Sequence, residues 1–404
     1  MILLDYMINQ LYTACMNSII TDLHYSGDQF GYYTVGKNFR TYSKLLAIEE
    51  MNRTGQYLQW HFNQSQYETY DWTQEPQQTL DELYRIRAQE IRDQYDYVVI
   101  WYSGGPDSWN ILNTFIKNNI KVDEIAHFCS HEADGGNKRS FFGEEIFFTA
   151  IPNTEKILEK HPHIKHRLVD ISQMTLDIYQ RADVKLEYIY NIKGIVSANS
   201  LTRSFLRDYI ADYRNIIDSG RRMCFVWGTE KPRITVIDGR YHAMFLDLFS
   251  ETNIRIQSLA NQGYFDEWFY WAPTTAAMVA KQCHTIIRAL QHSQSMPGWS
   301  SSVQQGSHCP QHKLNGQYLR NDIYHTLIYP GWDVTTLVQP KPKNLLLSER
   351  DDWFWNQTPD SHSSLKFARM GVQELLSRIG NQWLNDPNNI TKGIKGCVNL
   401  YALE

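Results

Sequence analysis

The chain has 404 residues, 42% hydrophobic and 21% charged, enough apolar material for packed cores and a length that predicts two or three domains. Its formal charge of −5 argues against a protein that grips duplex nucleic acid through a basic face, because that affinity comes from Lys and Arg neutralising phosphates. Six cysteines include no C-x-x-C pair, which argues against a disulfide framework or a four-thiolate zinc site and predicts reduced thiols in a cytoplasmic protein. Asp5 interrupts the opening Ile2-Leu3-Leu4 run, so no signal peptide is expected. No later stretch approaches the ~20 apolar residues of a membrane span.

Residues 1–78 show no clean period and read as an N-terminal extension of uncertain fold. A helix follows, with Tyr84, Ala88, Ile91 and Tyr95 on one face and Arg85, Arg87 and Arg92 off it. Residues 97–102, Tyr-Val-Val-Ile-Trp-Tyr, carry no charge and read as a strand buried on both sides. Ser103-Gly104-Gly105 breaks the run, and helical spacing resumes over 108–118 through Ile111, Leu112, Phe115 and Ile116. Residues 123–128 predict a second strand, 141–160 a helix kinked at Pro152, 166–171 a third strand, 202–217 a helix and 223–227 a fourth strand. Asp238-Gly239 between 234–237 and 241–245 predicts a hairpin, and the parallel sheet is expected to end near there. A helix over 274–291 opens a region, 251–404, expected to be mainly helical or irregular. The alternation predicts an α/β fold, a Rossmann-like doubly wound parallel sheet over 79–250.

A glycine-rich turn between a buried strand and a helix points several N–H groups at one spot, with the positive end of the helix dipole behind them. Gly104 and Gly105 offer no Cβ to obstruct a phosphate, Ser103 and Ser108 add hydroxyls, and Pro106 suits a first helical turn. Asp107 would repel phosphates unless a cation lay between, and Mg²⁺ is the natural one. The spacing matches neither a Walker loop nor the dinucleotide fingerprint.

Ser103-Gly104-Gly105-Pro106-Asp107-Ser108 resembles the Ser-Gly-Gly-x-Asp-Ser motif of the PP-loop ATP pyrophosphatases of the HUP superfamily. That family includes asparagine, GMP and NAD synthetases, tRNA thiolation and lysidine enzymes, and phosphoadenylylsulfate reductases. The resemblance implies ATP and Mg²⁺ as cofactors, with the β and γ phosphates in the loop and cleavage between the α and β phosphates. It implies that Ser103, Gly104, Gly105, Asp107 and Ser108 hold the pyrophosphate, Asp107 also positioning Mg²⁺, and that the main chain of Phe128, Cys129 and Ser130 grips adenine. Ligands of such sheets gather outside the carboxyl ends of the strands, which brings in the loop from Gly228 to Arg233. There Lys231 and Arg233 would stabilise charge on the α phosphate and the departing pyrophosphate, or else are solvated cations beside Pro232. Lys231 resembles the lysine that asparagine-synthetase-like members present after this strand.

The leading expectation is an asparagine-synthetase-like ligase that adenylates a carboxylate or carbonyl, AMP then being displaced by an amine. Position 2 is Ile2 rather than the glutaminase cysteine, so the amine is free or comes from a separate amidotransferase. The alternatives are a tRNA- or nucleobase-modifying enzyme with an RNA or nucleoside substrate, a phosphoadenylylsulfate-reductase-like protein, and a non-catalytic ATP- or AMP-binding module. No membrane partner is expected. Lys281 and His284 meet a substrate or form a plain helix-surface pair. Residues 131–139 form a cover or a solvated loop. His308, Cys309 and His312 are poor evidence for zinc without a partner cluster. The aromatic runs 268–271 and 353–355 are ordinarily core or interface, and otherwise a base-stacking surface.

Overall fold

The computed structural model describes residues 32–41, 44–140, 143–180, 206, 209–228, 233–246, 264–292, 325–332, 353 and 398–404. It opens with β1 (Tyr32–Val35), β2 (Phe39–Thr41), α1 (Lys44–Thr54), β3 (Leu58–His61) and α2 (Gln64–Tyr67). These strands form an antiparallel sheet in the order β2-β1-β3. The N-terminal extension therefore contains a small sheet, and it shares a core with distant parts of the chain. Phe62 packs on Phe245 and Trp271, Tyr67 on Phe245, and Trp72 stacks on Tyr401.

α3 (Leu80–Gln94) is closed at its start by a capping box, in which the Thr79 hydroxyl accepts from Glu82 N and the Glu82 carboxylate accepts from Thr79 N. Next come β4 (Tyr97–Trp101), α4 (Pro106–Lys117) and β5 (Glu124–Cys129). The expected helix over 141–160 is a short turn at Gly143–Glu145, a wide π-helical turn at Ile146–Ala150, and α5 (Ile151–Lys160). Pro152 lies in the first turn of α5, where its missing N–H is tolerated. β6 (Lys165–Asp170), α6 (Ile171–Gln180), α7 (Ala211–Asp218) and β7 (Met223–Trp227) follow; of the helix expected over 202–217, residues 206 and 209 are also helical, and 202–205, 207 and 208 lie outside the described residues. β8 (Arg233–Ile237) and β9 (Arg240–Leu246) make the predicted hairpin, with Asp238 and Gly239 both at positive φ, 50° and 79°. The described C-terminal part comprises β10 (Tyr264–Trp268), α8 (Ala276–His292), a helical turn at 325–328, and β11 (Val398–Ala402), which pairs with β9. A region expected to be mainly helical thus supplies two strands as well as its long helix. No helix among the described residues is long and apolar enough to cross a membrane.

The central sheet has five strands in the order β10-β7-β4-β5-β6, all parallel. This is a Rossmann-like arrangement: the chain starts in the middle at β4, fills one side with β5 and β6, then returns to fill the other with β7 and β10. Every residue of β4 and β7 is buried, which is why both read as uncharged β-branched and aromatic runs. At the amino ends of the strands a fully buried carboxylate, Glu124, accepts hydrogen bonds from Tyr97 (2.8 Å), Tyr213 (2.7 Å) and Arg167.

β10 lies beyond the expected end of the parallel sheet. Asp266 and Glu267 obscure it in sequence, but each finds a partner once folded. Trp227 Nε1 donates to Asp266 at 2.8 Å, Arg87 Nη2 to Glu267 at 2.6 Å, and the Tyr95 phenol also to Glu267. Arg87, read as lying off the packed face of its helix, is therefore buried, and it also donates to the carbonyls of Trp268 and Phe269. Trp268, Phe269, Tyr270 and Trp271 are core residues. Truncating Arg87 would leave Glu267 charged and buried without its cation. Arg87→Ala should lose about 3–5 kcal/mol in urea unfolding, and Arg87→Met combined with Glu267→Leu should recover much of that loss.

Candidate functional site

The residue before the glycine loop is held at three points. Tyr102 N donates to the carbonyl of Ala126 at 2.9 Å, and its phenol accepts from Asn153 Nδ2 at 3.1 Å. Its carbonyl lies 2.6 Å from His127 Nδ1. A carbonyl only accepts, so Nδ1 carries the proton and Nε2 accepts from the Thr154 hydroxyl at 3.2 Å. Burial pulls the His127 pKa down to about 4, keeping the ring neutral.

From Tyr102 the chain turns through Gly104 at φ +91°, a conformation that a side chain strongly disfavours. A Cβ on Gly104 would come within 2.8 Å of the Glu145 carbonyl oxygen, and one on Gly105 within 2.8 Å of Glu145 Oε1. The two serines fold the loop on itself: Ser103 N donates to Ser108 Oγ at 3.2 Å, the hydroxyls are 3.1 Å apart, and Ser108 Oγ donates to the Gly105 carbonyl at 3.1 Å. Gly105 is the N-cap of α4 and contributes no side-chain hydrogen bond. Pro106 occupies the first turn, as expected.

Asp107 meets a set of groups that local sequence does not announce. Its Oδ1 accepts from the Tyr329 phenol, and its carbonyl accepts from the Tyr270 phenol at 2.7 Å. Asn110 Nδ2 donates to Tyr270 at 3.0 Å, and Gln282 Nε2 to Tyr84 at 2.8 Å. The three fully buried tyrosine rings pack together, with centroids 5.6 to 6.3 Å apart. Burial first, and the charge of Asp107 after it, push the Tyr329 pKa well up, so the phenol stays protonated and donating. Among the described residues no group of three or more His, Cys, Asp or Glu could hold a metal. A Mg²⁺ at Asp107 would therefore draw most of its ligands from phosphate and water, which is how Mg²⁺ is commonly bound beside phosphates.

Gly228, directly after β7, closes the arrangement. A Cβ there would meet Ser108 N at 2.8 Å and Ser108 Cα at 3.0 Å, so the loop after β7 lies against the first turn of α4, backbone to backbone. Trp101 and Trp227 stack at 5.5 Å with planes 4° apart, and Phe128 packs edge-on against both. The carboxyl ends of β4, β5 and β7 are thereby brought together where the order of filling reverses, the place where open parallel sheets bind ligands.

Of the predicted site residues, Ser103, Gly104, Gly105, Asp107, Ser108 and Gly228 form one contiguous group, with Phe128 beside it in the aromatic cluster. Cys129 is a buried free thiol, its pKa raised to about 11 chiefly by burial, and the Ser130 carbonyl accepts from Asp134 N at 2.8 Å. Arg233 opens β8 opposite Met244; its side chain, together with Lys231, lies outside the described residues, as do His308, Cys309 and His312. Lys281 donates to Glu75 at 2.6 Å and to the Pro76 carbonyl at 2.9 Å, and His284 Nε2 lies 3.0 Å from the Trp72 carbonyl. That pair ties α8 to the N-terminal segment. Residues 131–140 run as successive turns, with Arg139 over the Phe148 ring at 4.6 Å. Glu145, His127 and Tyr329 were not foreseen, and Tyr270 was read only as part of the aromatic run 268–271, because each reaches the loop only through the packing of separate elements.

No protein-family model matches the chain, and no curated protein matches it. Fold and site together define a Rossmann-like α/β protein with a glycine loop at the reversal point of its parallel sheet.

Gly228→Ala forces two backbones apart and should cost about 1–3 kcal/mol in chemical unfolding. His127 makes folding acid-sensitive. The unfolded chain takes up its proton near pH 6.5 and the folded chain only near 4, so the stability this ring contributes is complete above 6.5 and is lost as pH falls through that window. Relative to His127→Gln, the natural chain should lose up to about 3 kcal/mol between those limits in pH-dependent urea melts.

Proposed function

We propose that residues 103–108 cradle the phosphates of ATP and that the protein cleaves the nucleotide between its α and β phosphates. The observation that carries this reading is the contact of Gly228 with Ser108 N: it places a second glycine-bearing loop against the first turn of α4, beside Gly104 and Gly105. The resemblance of the loop to PP-loop ATP pyrophosphatases, argued on those same residues, supplies the chemistry. A substrate carboxylate oxygen attacks the α phosphorus, the α–β anhydride bond breaks and pyrophosphate leaves. An amine nitrogen then bonds to the activated carbonyl carbon, AMP departs and the amine gives up a proton. In this scheme the N–H groups at the start of α4 neutralise pyrophosphate, and Asp107 orients Mg²⁺ carried in on the phosphates. Lys231 and Arg233 remain the expected cations for the α phosphate.

A binding-only module is the second reading, and one observation favours it. Asp107 is held by Tyr329 and Tyr270, a packing role that needs no turnover.

Release of pyrophosphate from ATP and Mg²⁺, measured across carboxylates, amino acids, nucleosides and RNA, separates the two. The ligase requires release that depends on one substrate class, with Asp107→Asn at least about 100-fold slower. Nucleotide affinity without release under any condition supports the module, whereas absence of both leaves neither reading standing.

A further inference from the structure

Resting on the phosphate-loop reading, we infer that Glu145 governs which form of polyphosphate the loop accepts, acting as an internal anion that a metal-free phosphate must displace. Glu145 ends the short turn Gly143–Glu145 and is half-buried, at the point where the π-helical turn Ile146–Ala150 begins. Its Oε1 lies 2.8 Å from the position of a Cβ on Gly105, and its Cγ and main-chain oxygen lie 3.2 and 2.8 Å from that of a Cβ on Gly104. The absent side chains that would let a phosphate approach the loop are thus matched by this carboxylate. Its charge also reaches the Tyr102 phenol, whose pKa is raised to about 12 by burial first and by Glu145 in part.

The placement has an electrostatic consequence. A polyphosphate approaching Gly104 and Gly105 meets the Glu145 carboxylate at contact range, with Asp107 in the adjoining helical turn. Like charges this close, partly shielded from water, repel strongly. A divalent cation on the phosphates offsets part of their charge and is itself attracted to the carboxylate, so the metal complex is favoured over the free anion. The wide turn after Glu145 is an irregularity of a kind found frequently at functional sites. Glu144 next door is engaged differently, 3.9 Å from Arg139, and serves as a charge-matched control.

Inorganic pyrophosphate is the probe, titrated calorimetrically into the natural chain, Glu145→Gln and Glu144→Gln, each with EDTA and with Mg²⁺. The natural chain should bind the magnesium complex and bind metal-free pyrophosphate far more weakly. Glu145→Gln removes one charge without changing shape and should tighten metal-free binding roughly 10-fold or more, narrowing the gap between the two conditions, while Glu144→Gln leaves it unchanged. Equal affinity of Glu145→Gln and the natural chain in EDTA, or weaker binding by that variant, overturns the inference and leaves the phosphate loop intact. If none of the three chains binds pyrophosphate under either condition, the loop reading falls with it. Far-UV circular dichroism and melting temperature confirm that each variant is folded.

Discussion

The arrangement of the carboxyl edge of the sheet depends on one close approach, Gly228 against the first turn of α4. β4 and β7 pair over Tyr97 to Ile100 and Met223 to Val226, both wholly buried, so their carboxyl ends have little freedom to spread. The stacked indoles of Trp101 and Trp227 continue that register by one residue. What emerges from the two strands must pass at backbone distance, and only a glycine at 228 permits it. The same constraint positions the N–H groups that open α4, because a helix whose first turn is pressed against a neighbouring strand end cannot tilt independently.

Two carboxylates lie beside this point, Asp107 and Glu145. Asp107 is held by hydrogen bonds from phenols that burial keeps protonated, a low-dielectric setting in which an O–H to carboxylate bond is strong. Glu145 lies against the backbone of Gly104 and Gly105, on the segment between β5 and α5.

The elements that flank the sheet do more than cover it. The N-terminal sheet, the β8-β9-β11 sheet and the 268–272 segment meet in one aromatic cluster, and residues 325–332 place Tyr329 on Asp107 and Trp332 against Trp109. Distant parts of the chain therefore converge on the first turn of a single helix. At the amino end of the sheet, the buried Glu124 with its two tyrosines and Arg167 ties β4, β5, β6 and α7 together.

Sequence alone determined the covered strands β4 and β7, the break at Gly104 and Gly105, the helix behind it and the Asp238-Gly239 hairpin. Each of these is a local matter, decided by side-chain polarity, period and permitted backbone angles over a few neighbouring residues. Tertiary structure decided that Tyr264–Trp268 joins the sheet, that Arg87 is buried, and that His127, Glu145, Tyr270 and Tyr329 surround the loop. The charges of Asp266 and Glu267 disguise a strand until Trp227, Arg87 and Tyr95 arrive from elsewhere to satisfy them. A tyrosine 222 positions from its carboxylate leaves no periodic trace, because what brings the pair together is the energy of packing whole elements, and that energy has no signature in any short window of residues.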